Sequence, residues 1–231
     1  MSVVIIVAID GPAGAGKSTV AKRLAKKLGF LHIDTGAMYR AVTLAALRQK
    51  ADLNDDAALE KIARNSTVEL RPGDPENKVF LNGEDVSQEI RTPEVTRASA
   101  YIANSVPVRK LLVARQQQMG RVDSAPYGGA VLEGRDIGTD VFPDAQFKFF
   151  LDASVETRSQ RRLLELEKAG VATTLEKVQA EVAARDERDY NRPVGGLRKT
   201  TDSIVLDHSH LNVDESAEEL FQYVEKSKNK N

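Results

Sequence analysis

The residues whose types and spacing suit chemistry begin at position 11. Gly11-Pro12-Ala13-Gly14-Ala15-Gly16-Lys17-Ser18, followed by Thr19, has the form GxxxxGK(S/T). Glycines let a backbone fold back on itself and aim several N–H groups inward. A helix starting near Gly16 adds its positive dipole end. Lys17 can neutralise phosphate charge, and the Ser18 hydroxyl suits Mg²⁺. The chemistry implied is a cradle for the β- and γ-phosphates of a nucleoside triphosphate. A glycine-rich turn alone can occur without that chemistry. Here the apolar run from Val3 to Ile9 precedes it and helical apolar spacing over Thr19–Leu28 follows, which is the context the motif needs.

A second group is rich in arginine. Arg158, Arg161 and Arg162 fall at i, i+3 and i+4, and Arg185, Asp189 and Arg192 at i, i+4 and i+7, so each set shares one helical face. On an arbitrary helix such a face reads as solvated and salt-bridged. Beside a phosphate loop it reads as forked donors that neutralise a phosphoryl group moving between two anions. The three histidines, His32, His208 and His210, lie in no recognisable base motif, and the last two lack a third metal ligand of suitable spacing. A phosphate acceptor, with a second pKa of about 6, is largely ionised already. Many arginines without an obvious base therefore favour a phosphate acceptor over an alcohol, with Asp34 and Asp136 remaining as candidate bases.

These residues need elements to hold them. Strand candidates at Val3–Asp10, Leu31–Asp34, Ala130–Glu133, Phe147–Asp152 and Ile204–Asp207 alternate with helical patterns. That alternation predicts an α/β fold with a five-stranded parallel sheet flanked by helices. Ligands of such sheets sit outside the carboxyl ends of the strands, where Asp10, Asp34, Arg135, Asp136, Asp152 and Asp207 fall. From about Ser66 to Val86 the rhythm changes. Short strands Val68–Arg71 and Lys78–Leu81, separated by Pro72-Gly73-Asp74-Pro75, precede an Asn82-Gly83 turn and Glu84–Val86. This predicts a small antiparallel insert, mobile and too small to be a domain of its own. Helices are expected over Pro107–Met119, Ser154–Ala169, Thr174–Tyr190 and Glu215–Lys226, with a frayed polar tail after them.

With 231 residues, 41% of them apolar, the chain suits a single α/β domain with insertions. A net charge of −1 argues against a dedicated nucleic-acid or membrane-surface protein. There is no cysteine, hence no disulfide, thiolate zinc site or cysteine nucleophile, and a cytoplasmic address fits. The first apolar run lacks a basic leader and enters the phosphate loop directly, so it reads as a strand and not as a signal peptide.

The chain resembles the bacterial cytidylate kinases of the nucleoside monophosphate kinase group. The resemblance rests on Ile9–Thr19, on Asp34-Thr35-Gly36-Ala37-Met38-Tyr39-Arg40, on Glu89-Ile90-Arg91-Thr92 and on Gly134-Arg135-Asp136-Ile137-Gly138-Thr139. Val141–Asp144, Phe150–Ala153 and Arg185–Arg192 extend it over nearly the whole length. It implies transfer of the γ-phosphoryl of ATP, with Mg²⁺, to CMP or dCMP, in pyrimidine nucleotide metabolism. In that reading Gly11 to Thr19 bind ATP, Ser18 holds the metal and Asp34 orients a metal-bound water. Lys17, Arg135, Arg185 and Arg192 serve catalysis. Arg40, Arg135 and Arg192 hold the monophosphate, Arg185 neutralises the transferring group, and Asp189 binds ribose. Thr35 keeps a phosphate contact where relatives commonly carry serine. Arg109 and Asp136 read cytosine, with Ser99 the nearest candidate for an assisting serine. Asp136 suits that task chemically, because a carboxylate accepts from the cytosine N4 amino group and faces uracil unfavourably. Arg158 and Arg162 reach ATP from a short lid over about 154–170. The region from about 36 to 104 binds the monophosphate, and the rest (about 1–35, 105–153 and 170–231) forms the core of a single kinase domain. A monomer is the default.

Two rivals stand beside this reading. One is a small-molecule kinase for another acceptor, such as shikimate, which leaves Arg109 and Asp136 without a task. The other is a guanine-nucleotide switch, which needs Asn-Lys-x-Asp; Asn77-Lys78 continues instead as Val79-Phe80.

Overall fold

The computed structural model describes residues 4–73, 77–168 and 170–228. Val3, Asp74, Pro75, Ala169 and the last three residues of the expected tail lie outside that set. The five expected strands are present as β1 (Ile5–Asp10), β2 (Leu31–Asp34), β6 (Gly129–Gly134), β7 (Phe147–Asp152) and β8 (Ile204–Asp207). They form one parallel sheet in the order β2-β6-β1-β7-β8.

Apolar runs make strands buried on both faces, and β1 shows how. Ile6 and Ala8 face one core together with Ala130 and Leu132, while Val7 and Ile9 face the other with Val131, Phe149 and Leu151. The second face is covered by α1 (Lys17–Leu28) and α8 (Val213–Lys228), through Val20, Leu24, Leu220 and Val224. The first is covered by α2 (Thr35–Arg48), α3 (Asp56–Asn65), α4 (Pro93–Asn104) and α5 (Val106–Gln118). Of these only α5 is among the helices expected from sequence. The pair α6 (Val155–Lys168) and α7 (Leu175–Tyr190) stands between β7 and β8.

The insert is a separate antiparallel sheet of β3 (Val68–Arg71), β4 (Lys78–Leu81) and β5 (Glu84–Asp85). Asn82 and Gly83 have φ of +52° and +86°, the paired left-handed conformations of a tight hairpin turn. Val79, Leu81 and Val86 are buried in the same core as α2 and α3. Arg48 of α2 clamps the insert from outside, bonding Glu84 at 2.6 Å and Glu89 at 2.5 Å.

The strand register decides where the chemistry gathers. Asp10 lies opposite Gly134, Asp34 opposite Glu133, and Asp152 opposite Asp207. The polar residues that end the strands therefore form one edge.

Candidate active site

The phosphate loop leaves β1 at Gly11, whose φ is +152°. A Cβ there would collide with the backbone oxygen of Leu151, so only glycine lets β1 turn beside β7. Gly16 has φ +86° and caps α1, whose first turn carries no acidic residue. The N-terminal end of α1 thus keeps its dipole for an anion. Lys17 is buried and donates to the Pro12 carbonyl at 2.7 Å. Burial drives its ammonium well below the usual lysine range, Arg135 adds to this, and Glu133 opposes it.

Glu133 is the last residue but one of β6, next to the strand that carries the loop. Ser18 donates its hydroxyl to Glu133 Oε2 at 2.7 Å, and Thr35 donates to the Glu133 backbone oxygen at 2.6 Å. Asp34 caps α2 by accepting from the Ala37 amide at 2.8 Å and pairs with Arg40 at 3.2 Å. Burial pushes the Asp34 carboxyl up, but Arg40 and the Ala37 amide outweigh it and hold the group below the usual range. Asp10 accepts from the amides of Ile137 and Gly138 at 2.9 and 2.8 Å. It is buried, and desolvation lifts its pKa to about 6 in spite of those bonds.

The arginines converge on Asp189. Arg135 donates to one of its oxygens at 2.8 Å and Arg192 to the other at 2.9 Å. Burial would raise the Asp189 carboxyl, yet Arg135, Arg185 and Arg192 hold it below the usual range. Burial pushes Arg185 down to about 10, with the like charges of Arg135, Arg40 and Arg162 adding to the effect. Arg40, Arg135, Arg162, Arg185 and Arg192 therefore share one electrostatic neighbourhood, with a surplus of positive charge suited to phosphates.

One residue beyond Arg135, Asp136 forms a buried ion pair with Arg109 of α5. Burial raises the Asp136 carboxyl although Arg109 opposes it. The ring centroid of Tyr39 lies 5.9 Å from the Arg109 guanidinium, and a Cβ on Gly195 would overlap that guanidinium. Arg109 Nε is buried and makes no hydrogen bond among the described residues. A buried donor left unused beside a buried carboxylate marks this end for a polar planar group.

Other expected residues sit differently. Arg158 is buried and packed from behind: it holds Asp186 with two bonds of 3.0 and 2.6 Å, Ala153 O at 2.9 Å and Ala13 O in the loop at 3.1 Å. Arg161, flanked by it, donates to His208 O at 2.8 Å. Arg162 pairs with Glu165 at 2.9 Å on the surface. Ser99 donates to Thr96 O within α4 at 2.8 Å. His208 is buried against Ser216, and among the described residues no three His, Cys, Asp or Glu side chains cluster as a metal site. Sequence reasoning placed Asp10 at this edge but gave it no task, and it missed Glu133 and Asp186. Glu133 did carry a signal: an acid ending the strand that precedes Gly134-Arg135-Asp136.

The model of the family described as cytidylate kinase matches residues 7–226 of this chain. The chain belongs to the cytidylate kinase family. The cytidylate kinase of Bacillus cereus (strain ATCC 10987 / NRS 248) is 47% identical over 220 residues, covering 95% of this chain and 96% of that relative. That of Bacillus thuringiensis (strain Al Hakam) is equally similar over the same shares. A crystal structure of an uncharacterized protein from Eubacterium ventriosum ATCC 27560 aligns with a TM-score of 0.51 at 13% identity, over 96% of this chain and 98% of that one. That likeness concerns the fold alone. The expected resemblance and fold class are thus borne out. Among the described residues no helix is long and apolar enough to cross a membrane.

Proposed function

We propose that this chain transfers the γ-phosphoryl of ATP to CMP or dCMP, giving the diphosphates, and that UMP is a poorer acceptor. The observation that carries this reading is the adjacency of Arg135 and Asp136. One joins the arginine cluster around Asp189 and the next forms the buried pair with Arg109. Consecutive residues thus link an end suited to phosphate with an end suited to a base.

Lys17 and the loop amides hold the ATP phosphates. Arg40, Arg135 and Arg192 take the phosphate of the acceptor, with Thr35 beside them, and Arg185 meets the group in transfer. Asp189 is the ribose partner. Asp136 accepts from the cytosine amino group, Arg109 donates to the ring acceptors, and Ser99 assists. The donor set of Ser18 and Glu133 is hard oxygen, which fits magnesium, an ion that keeps most of its shell for water and phosphate oxygens. Held there, magnesium would supply positive charge to offset that of the phosphates. Asp34 would orient a water of that shell.

The segment of about 154–170 is the lid, and about 36–104 the monophosphate-binding region. In the lid Arg162, exposed and paired with Glu165, is able to reach ATP, whereas Arg158 supports the loop through Ala13 O. The enzyme works as a cytoplasmic monomer in pyrimidine nucleotide metabolism, without nucleic-acid or membrane partners. Replacing Asp136 by Ala tests the base reader. A lost hydrogen bond to a charged group is worth about 1.5–3 kcal/mol, so kcat/KM for CMP is expected to fall about 10- to 150-fold. The loss for UMP and the KM for ATP are expected to be much smaller. Equal losses for CMP and UMP remove Asp136 from base recognition.

A further inference from the structure

Glu133 is held from two sides, and the second side leads to the small antiparallel sheet. Oε2 accepts from Ser18 at 2.7 Å, and Oε1 lies 3.3 Å from His32 Nε2. Strand pairing brings that ring there. His32 of β2 is opposite Val131 of β6, and Val131 and Glu133, two residues apart, share a face. The other ring nitrogen, Nδ1, is 3.0 Å from Asn77 Nδ2, and the same amide nitrogen donates to the His32 backbone oxygen at 3.3 Å.

The backbone oxygen decides where the hydrogens are. It can only accept, so the Asn77 nitrogen faces it, and that nitrogen then also faces Nδ1. Nδ1 accepts, and Nε2 carries the ring hydrogen and donates it to Glu133. The side chains of His32 and Glu133 are only 11% and 5% exposed, so water screens the contact little.

We propose that Asn77 and His32 are positioning residues that aim the Glu133 carboxylate at Ser18 and the magnesium site, and so tie the seating of the small sheet to the metal side of the phosphate loop. The inference rests on the kinase reading above for its magnesium arm and on geometry alone for its tautomer arm. Asn77 directly precedes β4, so a shift of that hairpin withdraws the amide that fixes the ring. The ring then turns or changes tautomer, and Glu133 loses one of its two donors. Partners that orient a metal-site carboxylate typically matter about 10- to 100-fold for metal affinity or activity.

Two readouts test it. Long-range ¹H–¹⁵N spectra of the nucleotide-free protein, with the His32 signals assigned by their loss in His32→Gln, report the tautomer. The wild type is expected to show Nε2 protonated and Nδ1 unprotonated, and Asn77→Ala to show averaged tautomers. The second readout is the Mg²⁺ dependence of turnover at saturating ATP and CMP. Asn77→Ala and His32→Leu are expected to raise the half-saturating Mg²⁺ about tenfold with the KM for CMP changed less than about twofold. His32→Gln, whose amide can replace the Nε2 donor, is expected to recover most of it. A wild-type ring protonated on Nδ1, an unchanged spectrum in Asn77→Ala, or an unchanged Mg²⁺ requirement in His32→Leu overturns the proposal. The wild-type spectrum needs no variant, and His32→Leu carries the magnesium arm if Asn77→Ala does not fold. Absence of CMP turnover in the wild type sinks the kinase reading instead, while the spectra still read the relay.

Discussion

Arginines of similar sequence context do different work here, and burial separates them. Arg158 and Arg162 are one helical turn apart on α6. The first is enclosed by Asp186, Ala153 and Ala13, and the second is open to solvent beside Glu165. Removing one partner of a buried ion pair leaves the other charge uncompensated, so Arg158→Ala is expected to cost about 3–5 kcal/mol of unfolding free energy in a denaturant titration. Arg162→Ala breaks only a surface pair and is expected to cost less than about 1 kcal/mol. If Arg162 meets ATP when the lid closes, its variant instead lowers kcat by about tenfold or more at unchanged stability. Stability losses of equal size would contradict the distinction drawn from burial. The sequence shows both residues on one face and carries nothing that separates them. Burial depends on Asp186, contributed by another helix.

At the scale of elements, the carboxyl edge of the sheet is held together by Asp10. It ends β1, leads into the phosphate loop, and accepts the amides of Ile137 and Gly138 in the turn after Asp136. The phosphate loop and the segment that carries Arg135 and Asp136 are thus joined through one carboxylate. Desolvation raises its pKa to about 6 from an ordinary 3.8. The folded state then holds the proton more tightly than the unfolded chain. The contribution of the group is greatest at low pH and is lost as pH rises from about 4 through about 6, by about 3 kcal/mol in all. Asp10→Asn removes that component. The change in unfolding free energy between pH 4.5 and 7.5 is expected to be less negative in the variant by about 2 kcal/mol. Identical pH profiles would show that the carboxyl is not perturbed.

The elements themselves were largely legible. Apolar runs ending in acids marked all five strands of the large sheet, and Asn82-Gly83 marked the hairpin. Helices α2, α3 and α4 were not, because α2 opens with Thr35-Gly36, weak helix formers, and its residues are buried on most sides, which blurs a one-faced pattern. Helix α2 starts because Asp34 caps it. Of the site, the residues within contiguous motifs could be read: Lys17, Ser18, Arg135, Asp136 and the Arg185–Arg192 set. The contact of Glu133 with Ser18, the role of Asp186 and the seating of Arg109 against Gly195 could not. Each is defined by a partner far along the chain, Ser18 being 115 residues from Glu133.

Over the whole molecule these contacts gather along the carboxyl edge of the sheet. In the proposed reading, the loop from β1 and the lid of about 154–170 belong to the donor side, and the region of about 36–104 with Arg109 of α5 to the acceptor side. The surplus of positive charge is local: with 33 basic and 34 acidic residues the protein as a whole is nearly neutral. An electrostatic field confined in this way favours a small dianionic acceptor over a polyanion. The most direct measurement is ADP production from ATP and Mg²⁺ with CMP, dCMP, UMP, AMP, GMP and shikimate as separate acceptors. The predicted result is the highest kcat/KM with CMP or dCMP, and UMP lower by about tenfold or more, the loss expected when a buried carboxylate faces an acceptor instead of a donor. A higher kcat/KM with any of the other four acceptors than with the cytidine nucleotides would contradict the account.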